Sequence, residues 1–237
     1  LQTVIAAGTA PDIYDMWEGY VQPYAKNGAL TNLEPFFEKD SKLKKTDLWP
    51  GALASVSWEG NLYSMLIALM PGPVSLYYNK KLLDEAKVEY PKSDWTWDQM
   101  REAALKLTMK KGDVDQYGLT FANWFVPWLY WIWSNGGDVF NADETKCIIY
   151  EKPAVEAVQY WGDLVVKDKC APNSSTLGAM QGPENMFTTG LVGLYLGNCW
   201  DLAMLNDAAK QGLEWGACLA PKANDGNRVF YQHTWCW

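Results

Sequence analysis

From Asp12 to Leu219 the chain alternates short apolar segments with amphipathic ones that close on glycine, and this alternation constrains its fold more than any other feature. Strand-like segments are read at Asp12–Met16, Leu62–Leu69, Val74–Tyr78, Tyr117–Phe121, Leu191–Leu196 and Trp215–Leu219. Between them lie helical segments: 17–26 before Gly28, 80–87, 184–189 before Gly190, and 200–211 before Gly212. Thr96 stands three residues before Gln99, a capping box that starts a helix with Trp97, Met100, Ala104 and Leu107 as its buried stripe. Trp124–Trp133 reads as an aromatic helix stopped by Asn135-Gly-Gly137, and Pro153 opens another with Val155, Val158, Trp161 and Leu164 facing inward. Strands that alternate with helices pack as α/β layers. Residues 1–8 read as the last turns of a helix and 228–237 as the opening of a strand, so the chain is expected to be a fragment.

Composition removes several classes of function. With 28 acidic against 20 basic residues and a net charge of -8, the surface has the wrong sign for nucleic acid. No stretch approaches the roughly 18–20 apolar residues of a membrane span. The five cysteines form no CxxC pair, which removes zinc knuckles and dithiol redox motifs, and their odd number leaves at least one thiol unpaired within a monomer. The sequence carries no GxSxG, GxxxxGK[ST], HExxH or GxGxxG, and its single histidine, His233, has no fixed acidic partner. No cofactor and no metal are expected. Asn173-Ser-Ser175 matches a glycosylation sequon, and Glu38–Lys45 reads as a solvated face.

The positive signal is aromatic. Fourteen Trp and thirteen Tyr exceed what a core of this size needs to fill. Trp17, Trp124, Trp128, Trp131, Trp133 and Trp200 fall near strand ends and helix starts, where open α/β sheets bind ligands. Sugar faces stack on flat rings while carboxylates and amides take the hydroxyls. Rings interleaved with Glu18, Asn123, Asn198 and Asp201 therefore suit a neutral polyhydroxylated ligand.

A series of short motifs then resembles the family 1 extracellular solute-binding proteins, the sugar-capturing subunits of bacterial ABC importers related to maltodextrin-binding protein. Ala6-Ala-Gly-Thr-Ala-Pro-Asp12 is similar to the family's A-x-G-x-x-P-D turn, and Gly28-Ala-Leu30 with Leu33 to its G-x-L-x-x-L. Glu59-Gly-Asn-Leu-Tyr63 is similar to D-G-K-x-Y, and Leu76-Tyr-Tyr-Asn-Lys80 to Y-Y-N-K. Trp95-Thr-Trp97, Gln116-Tyr-Gly118, Asn135-Gly-Gly137, Phe187-Thr-Thr-Gly190 and Gly197 with Trp200 continue the order. Ser64 and Leu66 depart from it, standing where the family usually has glycine and proline, and so does Lys87 within Ala86-Lys-Val88.

The resemblance implies a two-lobe periplasmic-binding-protein-like α/β fold of class II type, lacking here the N-terminal β-α-β and the C-terminal helical stretch. Residues 1–81 would be part of lobe one, 82–225 lobe two and 226–237 the start of the return crossover. The ligand, a sugar or oligosaccharide, would lie between the lobes. Met16, Trp17 and Glu18 match the lobe-one wall, and Trp124 and Trp128 the lobe-two wall. Trp200 matches the stacking ring, with Asn198 and Asp201 beside it. His233 and Trp235 fall on the return strand, and Tyr78 and Asn79 near the hinge. The implied protein is a monomer that delivers its solute to ABC transporter permease subunits, either lipid-anchored on the outer face of the cell membrane or in the periplasm, without enzymatic activity. Two alternatives stay open. One is a carbohydrate-active enzyme using Glu18 and Asp201 as acid and base; the other is a binding module or sensor partner with no transport role.

Overall fold

The computed structural model describes the backbone of residues 1–72 and 75–236, with the side chains of 1–66, 75–230 and 236. The chain divides into two units, Leu1–Met70 with Gln232–Trp237, and Pro71–Tyr231.

The first unit opens with α1 (Gln2–Ala6), then β1 (Met16–Trp17), α2 (Glu18–Lys26), α3 (Glu34–Phe37) and α4 (Pro50–Ser55). β2 (Ser57–Trp58) and β3 (Asn61–Leu62) form a hairpin whose two turn residues, Glu59 and Gly60, both have positive φ. Such turns follow the twist of the flanking strands, which is why the Glu-Gly-Asn signal was readable. β4 (Leu66–Gly72) leaves the unit. Met16, Val21, Val56, Leu62 and Cys236 make its buried centre. The strand expected over Asp12–Met16 forms only at Met16 and Trp17, because the ladder supplies partners opposite those two residues alone and the chain bends at Asp12 and Ile13 before it.

The second unit contains β5 (Ser75–Asn79), α5 (Lys80–Ala86), α6 (Trp97–Leu107), β6 (Met109–Lys111), β7 (Val114–Phe121), α7 (Phe125–Ser134), α8 (Lys152–Val166), α9 (Ser174–Ala179), α10 (Pro183–Thr188), β8 (Val192–Gly197), α11 (Leu202–Lys210) and β9 (Trp215–Leu219). Its sheet runs β6-β7-β8-β5-β9, with β7 and β8 parallel and the other pairs antiparallel. β10 (Tyr231–Cys236) then lies between β1 and β4 in the first unit's sheet. Val74 and Trp237, expected at strand ends, lie outside the described residues.

The units divide at Met70/Pro71 and Tyr231/Gln232 rather than at 81/82 and 225/226. Backbone pairing explains the first shift: β5 is hydrogen-bonded to β8 on one side and along its whole length to β9 on the other. Tyr78 and Asn79, expected near the hinge, are therefore inside the second unit. Asn79 is buried, and its side-chain oxygen accepts from Leu82 N at 3.1 Å as the N-cap of α5.

α6 carries the capping box as expected. Thr96 N donates to Gln99 Oε1 at 2.8 Å, and Gln99 N to Thr96 Oγ1 at 3.4 Å. Its stripe, Trp97, Met100, Ala104 and Leu107, is buried together with Ala103. Thr96→Ala is expected to cost about 1 kcal/mol of the second unit's stability, seen as an earlier midpoint in urea unfolding.

α8 differs from expectation at Val155 and Val158, while Leu164 is buried as expected. Val155 and Val158 are exposed and Trp161 half-buried, while Ala154, Ala157 and Leu164 face inward. The cause lies in its neighbour: α7 fills the space with large rings, and the Asn135-Gly-Gly turn sits against the start of α8. A Cβ on Gly137 would stand 2.6 Å from Ala154 N, and Asn135 Nδ2 donates to Pro153 O at 2.8 Å. Only a small side chain fits at Ala154, where the turn meets the start of α8. Asn173, noted as a sequon, caps α9 by accepting from Thr176 N at 2.9 Å, a local bond that Asn makes readily. All five cysteines are free thiols.

Candidate ligand-binding site

The expected site residues divide between the units, and each group is built by local rules. In the first unit Met16 and Trp17 end β1, and Trp17 is the N-cap residue of α2. Trp17, Tyr20 and Tyr24 recur at three and four residues, so they share one face of the helix. With Leu1, Gln2, Thr3, Asp15 and Met16 they line a concavity of about 700 Å³. The Tyr20 and Tyr24 rings are 6.1 Å apart, and Tyr20 is exposed. Flat rings beside the Asp15 carboxylate can stack a sugar face and accept from its hydroxyls. Met16 is buried and helps close the core. Glu18 lies in the first turn of α2, where the helix dipole favours a negative charge. Asp15, Tyr20 and Tyr24 were missed from sequence, although the helical spacing from Trp17 would have found the two tyrosines.

In the second unit the topology does the placing. β7 and β8 run parallel side by side, with Phe121 opposite Leu196, so their carboxyl ends lie together. Trp124 follows the end of β7 by three residues, and Trp200 follows the end of β8 by three. Both rings thus belong to the carboxyl edge of neighbouring parallel strands, the place where open α/β sheets bind ligands. Trp124 is half-buried, with its ring edge-on to Phe125 at 5.3 Å. Trp200 is 39% exposed.

Asn198 and Asp201 were expected to contact ligand, yet they are only 3% and 5% exposed. The turn between them explains why. Asp201 Oδ2 accepts from Asn198 N at 2.6 Å and from the Tyr195 hydroxyl at 2.7 Å, while the Tyr77 hydroxyl donates to Asn198 O at 2.8 Å. Burial pushes the Asp201 carboxyl above the ordinary carboxylate value and the Tyr77 hydroxyl up to about 12. A Cβ on Gly197 would fall 2.5 Å from the Tyr195 ring and 2.7 Å from Asp201 Oδ2, so only glycine fits before this turn.

Trp128 sits on α7, 40% exposed, with Nε1 donating to Asn123 Oδ1 at 3.2 Å and its ring 5.8 Å from that of Trp161. It lines a separate, mostly apolar groove of about 600 Å³ between α7 and the segment from Asp138 to Ile149. Trp131 is a core residue, and Trp133 Nε1 donates to Asp138 Oδ1 at 2.8 Å. On β10, Trp235 stands opposite Trp17 in backbone register, and His233 lies on the same strand. Among the described residues no group of histidine, cysteine and carboxylate side chains could hold a metal ion, and no helix is long and apolar enough to cross a membrane.

Two α/β units, each carrying aromatic rings at the ends of its strands, are the architecture of the two-lobe solute-binding proteins. The chain belongs to the bacterial extracellular solute-binding proteins, whose family model matches residues 1–235. Among solved structures it is similar to an ABC substrate-binding protein from Listeria monocytogenes in complex with cycloalternan, with 30% identity and a TM-score of 0.89, over 100% of this chain and 58% of that one. It is also similar in fold to a maltose-bound protein of T. maritima, with 23% identity and a TM-score of 0.77, over 99% of this chain and 59% of that one. A curated binding protein of Brucella abortus is 24% identical over 99% of this chain and 55% of its own length. The chain thus spans little more than half the length of the relatives it matches. The α/β, two-lobe fold class and the family expected from sequence are the ones found.

Proposed function

We propose that the protein captures a sugar or oligosaccharide on the aromatic surfaces of its two units and hands it to the permease subunits of an ABC importer. The observation that carries this reading is the placement of Trp124 and Trp200 just past the carboxyl ends of adjacent parallel strands. Support comes from the Listeria monocytogenes relative, a substrate-binding protein in complex with a cyclic oligosaccharide. Rings at this edge stack apolar sugar faces, and Trp17 with Tyr20 and Asp15 offers a second such surface in the first unit. The protein acts as a monomer outside the cytoplasmic membrane, lipid-anchored or periplasmic, and breaks no bond in its ligand. A tryptophan-fluorescence titration against mono- and oligosaccharides should give a saturable change for at least one of them. A flat response across the whole panel would contradict the sugar assignment.

A further inference from the structure

Trp200 belongs to a turn rather than to a long helix or strand. It sits in a single 3-10 turn, Cys199–Asp201, between β8 and α11. What fixes that turn is a buried polar cluster drawn from three other elements. From β8 comes Tyr195, whose hydroxyl lies 2.7 Å from Asp201 Oδ2 and 3.3 Å from Glu184 Oε1. From α10 comes Glu184, and from β5 comes Tyr77, bonded to Asn198 O. Around them pack Phe187, Leu205 and Trp215.

Two carboxylates share one phenolic proton here, and the shorter bond goes to Asp201. The same Asp201 oxygen takes the Asn198 N–H, closing the turn. Charge-assisted bonds of this kind are roughly twice as strong as neutral ones. We propose that Asp201 is the positioning residue of Trp200: its ionised carboxylate clamps the turn through Asn198 and Tyr195, and the clamp relaxes when Asp201 takes up a proton.

This rests on the reading of Trp200 as a ligand-stacking ring. The groups facing Asp201 are Tyr195 on β8, Glu184 on α10, Tyr77 on β5 and Cys199 in the turn itself. Burial raises the Asp201 carboxyl, and the charge of Glu184 raises it further; the bonds from Asn198 and Tyr195 pull it down. The ionised form is therefore lost at a milder acidity than for an exposed carboxylate. Sugar affinity should fall as pH drops through that raised value.

Asp201→Asn keeps the shape and a hydrogen-bond acceptor but removes the charge. Its sugar affinity at neutral pH should be about tenfold weaker and independent of pH, and the wild-type curve should descend to meet it in acid. Glu184→Gln removes the charge that raises Asp201, so the descent should move to lower pH. Tyr195→Phe removes a donor to the carboxylate, so it should move to higher pH.

A second readout needs no sugar. The indole N–H resonance of Trp200, identified by its loss in Trp200→Phe, should shift with pH in the ligand-free wild type and stay fixed in Asp201→Asn. An indole shift without any sugar binding would leave the clamp standing and remove the sugar reading. A pH-invariant Trp200 resonance, or wild-type affinity in Asp201→Asn at neutral pH, would overturn the clamp.

Discussion

Trp131→Ala should lower the unfolding free energy of the second unit by about 3–5 kcal/mol, the range for deleting a large buried ring. Trp131 is 1% exposed. Its ring lies 4.8 Å from Trp97, 5.1 Å from Tyr130, 5.7 Å from Tyr160 and 6.4 Å from Phe121. These rings come from α6, α7, α8 and β7, so the cavity would open where three helices meet the sheet and could not collapse without moving one of them. Urea unfolding followed by near-ultraviolet circular dichroism should show the second unit's transition at much lower denaturant. Val155→Ala, on the exposed face of α8, is the control and should change stability by no more than about 0.5 kcal/mol. Equal effects of the two substitutions would mean that Trp131 is not packed between α7 and α8.

Trp200→Ala should act in the opposite way, on binding rather than on stability. The ring is part-exposed and lies outside the buried clusters, so its removal leaves the second unit's core intact. A stacking ring at a ligand site is worth on the order of 1–3 kcal/mol, which is roughly a tenfold to hundredfold loss of affinity. Calorimetric titration of the binding sugar separates the two effects, because the unfolding midpoint should stay near that of the wild type. Unchanged affinity would move the ligand away from the β8 edge.

The parts of the fold legible in sequence are those fixed by neighbours along the chain. The capping box at Thr96 and Gln99, the stops at Gly28 and Gly190, and the Glu59-Gly60 turn are set by backbone geometry within a few residues, and all were found. What could not be read depends on partners far away in the chain. Which face of α8 is buried follows from the bulk on α7 and from Gly137, and the unit boundary follows from the pairing of β5 with β8 and β9.

The candidate site shows the same division. Trp17, Trp124 and Trp200 stood out because rings at strand ends follow from element order. Asp201 was read as a ligand contact because sequence shows a carboxylate beside a tryptophan, and says nothing of Tyr195 folding back over it. Trp128 was grouped with Trp124, yet it faces a groove bounded by a segment that lies beyond the end of its helix.

On the proposed function, the carboxyl edge of β7 and β8 holds a sugar and leaves it whole. Calorimetric titration of linear and cyclic oligosaccharides into the protein, with the sugar recovered and weighed by mass spectrometry, tests it most directly. Binding should be saturable and should weaken in both Trp124→Ala and Trp200→Ala, and the recovered ligand should have unchanged mass. A shortened ligand, or binding indifferent to both substitutions, would contradict it.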